Sequence, residues 1–515
     1  MTGIEENYMY CKVLSACLQG ISAIPISVEV DVAGGLPSFN MVGLPSSEIR
    51  EARDRVERAI VNSGIDFPAR RITVNLSPAG IKKQGSGFDL PIAVGILTAC
   101  GIIKEEALKD RMFIGELGLD GKICRVRGVL PVSILAKQLK QKCVVVPAAC
   151  AFEGSAVDGI TVHSASDLGT LIHELNTGEN KDITHIDLDE LLENAYENSL
   201  LDYKDVNGQE KAKRATMIAV AGFHNLLYVG PPGAGKSMMA QRIPTIFGKM
   251  TKDECLEVSA IYSVAGLLKE DSLILERPFR NPHQTITRAA LMGGSTPPHP
   301  GEITLAHRGV LFLDELSEFS RSVVEDLRVP LEKKEVSVDR ASGKAVFPCD
   351  MMFVAATNPC RCGFYPDRKF CHCTDADVQK YLEKIKGPVL DRIDICVGIT
   401  RVEIKDLYRK KSSTSSAEMR EKVQRAQEIQ KERFRNMKAR FNSDMSSKEI
   451  EKLCTAEKSS MDLLKNAYEK LNMTVRGYHK ILKVARTIAD VEGSDVIQDS
   501  HMLEAIGYRN SFISR

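Results

Sequence analysis

The sequence predicts an α/β protein in three parts: an N-terminal α/β domain, a central α/β domain built on a parallel sheet, and a C-terminal helical lid. Three observations carry that prediction. The octapeptide GPPGAGKS at 230–237 follows an apolar run, NLLYV, and precedes a helical pattern. Further apolar runs, GVLFLDE, MMFVAAT and IDICVGI, recur with helical segments between them, the alternation of a parallel sheet covered by helices. After Arg401 such runs stop and helical periodicity remains.

The elements follow in order. In 1–175, ISVEVDV and RITVNL read as strands and CVVVP as a buried strand. EIREARDRVERAIVNSG reads as a helix, with Ile49, Val56 and Ile60 on one stripe and Gly64 at its end. Residues 176–205 carry nine acids against two bases, so 176–204 reads as a solvated acidic linker. The central domain, 205–400, opens with the helix QEKAKRATMIAVAGF. The last part, 401–515, starts with a Ser/Thr-rich break, KKSSTSSAEM, and continues with three or four helices. Residues 401–444 carry thirteen bases against seven acids, a basic arm or helix.

Bulk composition excludes some classes. Lys+Arg is 69 and Asp+Glu 68, so global charge selects no partner. The start, MTGIEENYMYCK, lacks the basic and apolar regions of a secretory leader. The longest apolar stretch, FDLPIAVGILTACGII, holds an Asp and a Pro and is too short for a membrane span. A soluble cytoplasmic protein is expected, with no membrane partner and with its fourteen cysteines mostly reduced.

The octapeptide fits G-x-x-x-x-G-K-[ST] in full. Gly230, Gly233 and Gly235, with Pro231, Pro232 and Ala234 between them, let backbone N–H groups turn toward phosphate oxygens. Lys236 reaches the outer phosphates and Ser237 is placed to hold Mg²⁺. ATP and Mg²⁺ are therefore the expected cofactors. VLFLDE ends a strand in two acids: Asp314 for the Mg²⁺ shell, and Glu315 to polarise an attacking water. An isolated Asp-Glu is a weak signal; beside the loop it is strong. Asn358 stands at the tip of the next strand, where an amide can orient water or simply cap a turn. Arg392, before the last strand, suits a finger reaching a neighbouring subunit's nucleotide, or an ion pair with Asp391 or Asp394. TVRGYHKILKVARTIAD carries Arg476, Lys480, Lys483 and Arg486 on one side, as a nucleotide-sensing lid helix led by Arg476 or as a solvated basic face.

Together these residues resemble an AAA+ ATPase, and more closely the magnesium-chelatase-like ComM (YifB) family. The resemblance covers nearly the whole chain, through GLPSSEIREARDRVERAI, SGFDLPIAVG, HNLLYVGPPGAGKS, RPFRNPHQT, GVLFLDEL, GPVLDRIDI and KILKVARTIAD. It implies a hexameric ring with ATP at subunit interfaces and DNA, single-stranded or branched, in the pore. It also implies helicase activity that drives branch migration of incoming DNA during natural transformation. The family often has Ser-Ala-Arg where this chain has Thr474, Val475 and Arg476; the Arg is kept. Two inserts fit this clade. EVSVDRASGKAVFP, 335–348, reads as a β-hairpin turning at Ser342-Gly343, with Arg340 and Lys344 near its tip, where MCM helicases and chelatases resemble each other in carrying a hairpin. The Gly/Pro-rich stretch 287–309 is the second pore-facing candidate; ordinary surface loops are the alternative for both. Magnesium-chelatase-type remodelling of a protein partner is the competing function.

The first domain resembles the proteolytic domain of Lon proteases, through GELGLDGKICRVRGVLPVSILAKQLKQKCVVVP and the stretch ending DLPIAVG. By that match the nucleophilic Ser position holds Ile92 and the partner Lys position holds Leu130. Neither can act as nucleophile or base, so the resemblance implies the fold and denies the peptidase. NPCRCGFYPDRKFCHC, 358–373, places Cys360, Cys362, Cys371 and Cys373 as two C-x-C pairs. Four thiolates suit a closed tetrahedral zinc site, with His372 able to replace a neighbour; free thiols or a redox pair are the alternatives.

Overall fold

The computed structural model describes residues 9–179, 182–183, 186–197, 201–295, 298–340, 343–383, 389–401 and 414–513. An eight-stranded mixed sheet forms the first domain, in the order 182–183, 161–165, 143–147, 111–113, 9–19, 22–33, 71–77, 38–42. Its spine is the antiparallel hairpin Met9–Gln19 and Ser22–Ala33, in register from Met9↔Val32 to Gln19↔Ser22. Val28, Val30 and Val32 alternate inward and are fully buried, the period of a half-buried strand. The longest apolar stretch becomes the helix Asp89–Ala99, buried along almost its whole length against that hairpin. It is a core helix, and no helix among the described residues is long and apolar enough to cross a membrane. The helix expected at 48–64 is two, Ser47–Arg50 and Ala52–Asn62, but its stripe of Ile49, Val56 and Ile60 is fully buried.

The acidic stretch 176–204 holds more structure than its charge suggests. Asp182–Ile183 adds a strand to the sheet, and Leu188–Glu197 is a helix whose Leu188 and Leu192 are buried. Two leucines four residues apart lie on one helix face, so the acids can face solvent while that face packs.

The first domain shares a core with the second. Val129, Leu130, Val132 and Leu135 of helix Val129–Gln138 pack with Cys255, Val258, Ile261 and Tyr262 of helix Lys252–Ala265. The Leu130 N–H donates to buried Glu153 at 2.8 Å, which also accepts from Ser263. Ile92 and Leu130 are both fully buried, in two different clusters, so the Lon-like dyad positions are now core residues.

The central domain is a five-stranded, all-parallel sheet in the order 279–280, 310–313, 352–357, 226–229, 395–398. The strand that leads to Asn358 therefore lies between the phosphate-loop strand and the strand that leads to Asp314. The hairpin is present as Glu335–Arg340 paired with Gly343–Pro348. Its ladder closes at Arg340↔Gly343, so Gly343 is a ladder residue rather than a turn residue; 341–342 lie outside the described residues. The 287–309 insert contains the helices Arg288–Met292 and Glu302–Leu305 and a short ribbon, Gly293–Gly294 with His299–Pro300. The first four residues of the Ser/Thr-rich break, 410–413, lie outside the described residues, and Ser415 within it caps the helix Ser416–Arg433.

The lid has five described helices rather than three or four: Ser416–Arg433, Ser447–Leu453, Lys458–Lys470, Val475–Val491 and Asp499–Ile513. The extra one arises because Ser446 and Glu449 close a capping box that starts a short helix in an otherwise polar stretch.

Candidate functional site

The phosphate loop leaves strand Leu226–Val229 and ends at Gly235, whose φ of +90° suits glycine and starts helix Lys236–Gln241. Lys236 is 9% exposed. Its ammonium donates to the carbonyls of Gly230 (2.8 Å) and Pro231 (2.9 Å) and to Asn358 Oδ1 (2.9 Å). Those three bonds match the three donors an ammonium has. Burial pushes the Lys236 pKa down, and Asp314 and Glu315 pull it back up. Ser237 Oγ donates to Asp314 Oδ2 at 2.5 Å. The predicted Mg²⁺ ligands thus lie side by side, a hydroxyl and a carboxylate. That donor set fits Mg²⁺, which takes one or two protein oxygens and completes its shell with phosphate and water.

Glu315 is exposed, and its backbone sits at φ +51°, ψ +50°. For a residue with a Cβ that conformation costs energy and clusters at functional sites. Its N–H donates to Asp314 Oδ1 at 2.9 Å, which fixes the two acids relative to each other. Nothing in the sequence signalled that strain.

Arg392 pairs with Glu332 rather than with Asp391 or Asp394. Glu332 belongs to helix Arg328–Lys333, which leads directly into the hairpin. Arg476 is exposed on the first turn of helix Val475–Val491. The other bases of that helix are not a solvated face. Lys480 donates to Asp394 Oδ1 and to the Ile393 carbonyl, each at 3.0 Å. Lys483 donates to the Ser443 carbonyl at 2.8 Å, and Arg486 is buried against Asp490. Asp394 also accepts from the Asn225 N–H at 3.1 Å, while Asn225 Nδ2 donates to the Arg392 carbonyl at 2.9 Å. One half-buried polar chain therefore joins the Arg392 segment to the helix that presents Arg476. Sequence reasoning missed Asn225 and the pairing of Asp394 with Lys480; the helical spacing of Lys480 and Lys483 was visible, but not what they face.

The four cysteines converge. Their sulfurs all lie within 4.8 Å of one another, with Sγ···Sγ distances of 3.3 Å (Cys360–Cys362), 3.6 Å (Cys362–Cys371) and 3.8 Å (Cys360–Cys371). A tetrahedral zinc with bonds of ~2.3 Å places sulfurs ~3.8 Å apart, so the cluster fits that ion. His372 is exposed and stands outside the cluster. A backbone hydrogen bond from Phe364, aided by the neighbouring thiols, brings the Cys362 thiol down to about 6, while burial pushes the Cys371 thiol up to about 12.

A parallel sheet with a phosphate loop on one strand, an Asp-Glu pair two strands away and an Asn-tipped strand between them defines an AAA+ ATPase. The family described as magnesium chelatase, subunit ChlI, matches residues 202–407. Subunit ChlI of Mg-chelatase matches 28–150, and the ChlI C-terminal region matches 413–509. Competence protein ComM of Haemophilus influenzae is 40% identical over 498 residues, covering 96% of this chain and 97% of its own. YifB of Salmonella typhimurium is 37% identical over 495 residues, 95% of each chain. Lon protease 2 of Bacillus subtilis is 32% identical over 150 residues, 27% of this chain and 26% of its own. The chain belongs to the ComM/YifB family of magnesium-chelatase-like AAA+ ATPases, with ATP and Mg²⁺ as the family's cofactors.

Proposed function

We propose that the chain is an ATP-driven motor that works as a hexameric ring on single-stranded or branched DNA, in recombination of incoming DNA. The observation that carries this reading is the hairpin. It enters between the strand leading to Asp314 and the strand leading to Asn358, so movement of either end reaches it. Val336, Val338, Ala345 and Phe347 bury its base, and the register puts Arg340 and Lys344 at its outer end. These bases offer charge to phosphates and no base-reading pair, so binding is sequence-independent. That the H. influenzae relative is a competence protein supports the same reading.

In hydrolysis, Lys236 gives up its carbonyl partners for the outer phosphates of ATP. Asn358 holds the attacking water and Glu315 takes its proton as the new P–O bond forms and ADP leaves. Arg392 of a neighbouring subunit and Arg476 of the same chain meet the charge on the transferred group. Mg²⁺, held by Ser237 and Asp314, supplies charge neutralisation of the phosphates. Cys360, Cys362, Cys371 and Cys373 hold one zinc; the four-ligand site is closed and structural.

Single-stranded DNA should stimulate the ATPase at low salt, and binding should weaken as salt rises, with a slope of roughly −0.7 per phosphate contacted. Replacing Arg340 and Lys344 by Ala should flatten that slope and lose the stimulation while basal hydrolysis remains. A second reading, chelatase-type remodelling of a protein partner, draws on the family descriptions. It takes first place if DNA has no effect on hydrolysis.

A further inference from the structure

Three contacts make the cysteine cluster part of the wall of the nucleotide site. Gly363, next to Cys362, has φ +86°, and a Cβ there would lie 2.4 Å from Cδ and 2.8 Å from Cγ of Pro232. The loop backbone is therefore pressed against the phosphate loop. Asn358, the Lys236 partner, lies two residues before Cys360. On the far side, Cys371 and Cys373 lead into helix Asp375–Glu383, whose Tyr381 hydroxyl bonds Ser317 Oγ at 2.7 Å, two residues past Glu315. Pro232, Asn358 and the segment after Glu315 are thus braced from one knot of four sulfurs.

We propose that a thiophilic divalent cation in this knot sets the geometry of the nucleotide site, so that metal occupancy controls ATP binding and hydrolysis. The inference rests on the zinc reading above. Without the ion the two C-x-C pairs are free to separate, and Gly363 and Asn358 lose their fixed positions relative to Pro232 and Lys236. The coupling is reciprocal: nucleotide that moves the phosphate loop must also perturb the metal. Gly363 and Tyr381 act here as positioning residues, since they touch Pro232 of the phosphate loop and Ser317 of the acid segment rather than the reacting atoms.

The test uses the full-length chain. Zinc is quantified, stripped with a strong chelator and restored, and kcat and KM for ATP are measured at each stage. Stripping should lower kcat/KM by about 10²-fold, the scale expected of an ångström-sized misplacement, and added zinc should restore it. Gly363→Ala should keep its metal yet raise KM, because the new methyl pushes on Pro232. In cobalt-substituted protein, ADP should shift the thiolate–cobalt absorption, a readout independent of turnover. If the chain neither contains nor takes up zinc, the zinc reading fails and the inference with it. If zinc is present and removable but kcat, KM and the cobalt spectrum with ADP are unchanged, the zinc reading stands and the coupling is refuted. A Gly363→Ala protein with wild-type kcat and KM would also refute the coupling.

Discussion

Replacing Lys480 by Met removes one charge from a mostly buried pair, together with the hydrogen bond to the Ile393 carbonyl. The Lys480 ammonium lies 3.0 Å from Asp394 Oδ1, and the remaining Asp394 oxygen keeps the Asn225 N–H at 3.1 Å and His224 Nδ1 at 3.6 Å. Burial alone would raise the Asp394 pKa; Lys480 and His224 outweigh it and hold the carboxyl well below its usual range. Met has similar bulk, so the dominant cost is a buried carboxylate left with too few partners, ~3–5 kcal/mol. At ~1.5 °C per kcal/mol for a unit of roughly 300 residues, Tm should fall by roughly 6 °C. Asp394→Leu combined with Lys480→Met removes both charges and should recover much of that loss. Because the folded pKa of Asp394 lies below its unfolded value of ~3.9, the pair's contribution is complete above that pH. It fades as pH falls toward the folded pKa, so Lys480→Met and wild type should converge in acid. Calorimetry at neutral and acid pH decides. A single variant within about 2 °C of wild type, or a double variant no better than the single, would refute the reasoning.

Glu315→Gln should bind ATP normally and hydrolyse it ~10²–10⁴-fold more slowly, read as turnover against nucleotide affinity. Mixing Arg392→Ala with Lys236→Ala subunits should restore part of the ATPase, because some interfaces then pair an intact loop with an intact finger; mixed rings no more active than either parent contradict a role in trans. The purified chain should leave casein intact, since Ile92 and Leu130 occupy the dyad positions; degradation abolished by a substitution in the first domain would overturn that expectation.

The nucleotide site was legible because its chemistry is local. A turn of glycines and one Lys need only a strand before and a helix after, and the Asp at the end of a second apolar strand, 77 positions on, lies beside Ser237. Strands with strong apolar runs were legible for the same reason. What the sequence hid depends on contacts between distant segments. Lys480 looks like any exposed helical Lys until Asp394 is brought beneath it. The acidic stretch reads as a linker because two leucines carry little weight among nine acids. Glu332, the partner of Arg392, is sixty positions away, whereas the candidates Asp391 and Asp394 were neighbours in sequence. The cysteine pairs suggested a metal, but the pressure of Gly363 on Pro232 exists only in three dimensions.

Strand displacement on forked and four-way DNA, with ATP and with wild-type and Glu315→Gln chains side by side, tests the central claim most directly. A DNA motor should separate both substrates as wild type, while Glu315→Gln binds ATP and DNA but leaves the strands annealed, because movement requires hydrolysis. Brisk wild-type hydrolysis that DNA does not stimulate at low salt, with neither substrate separated, would contradict the account.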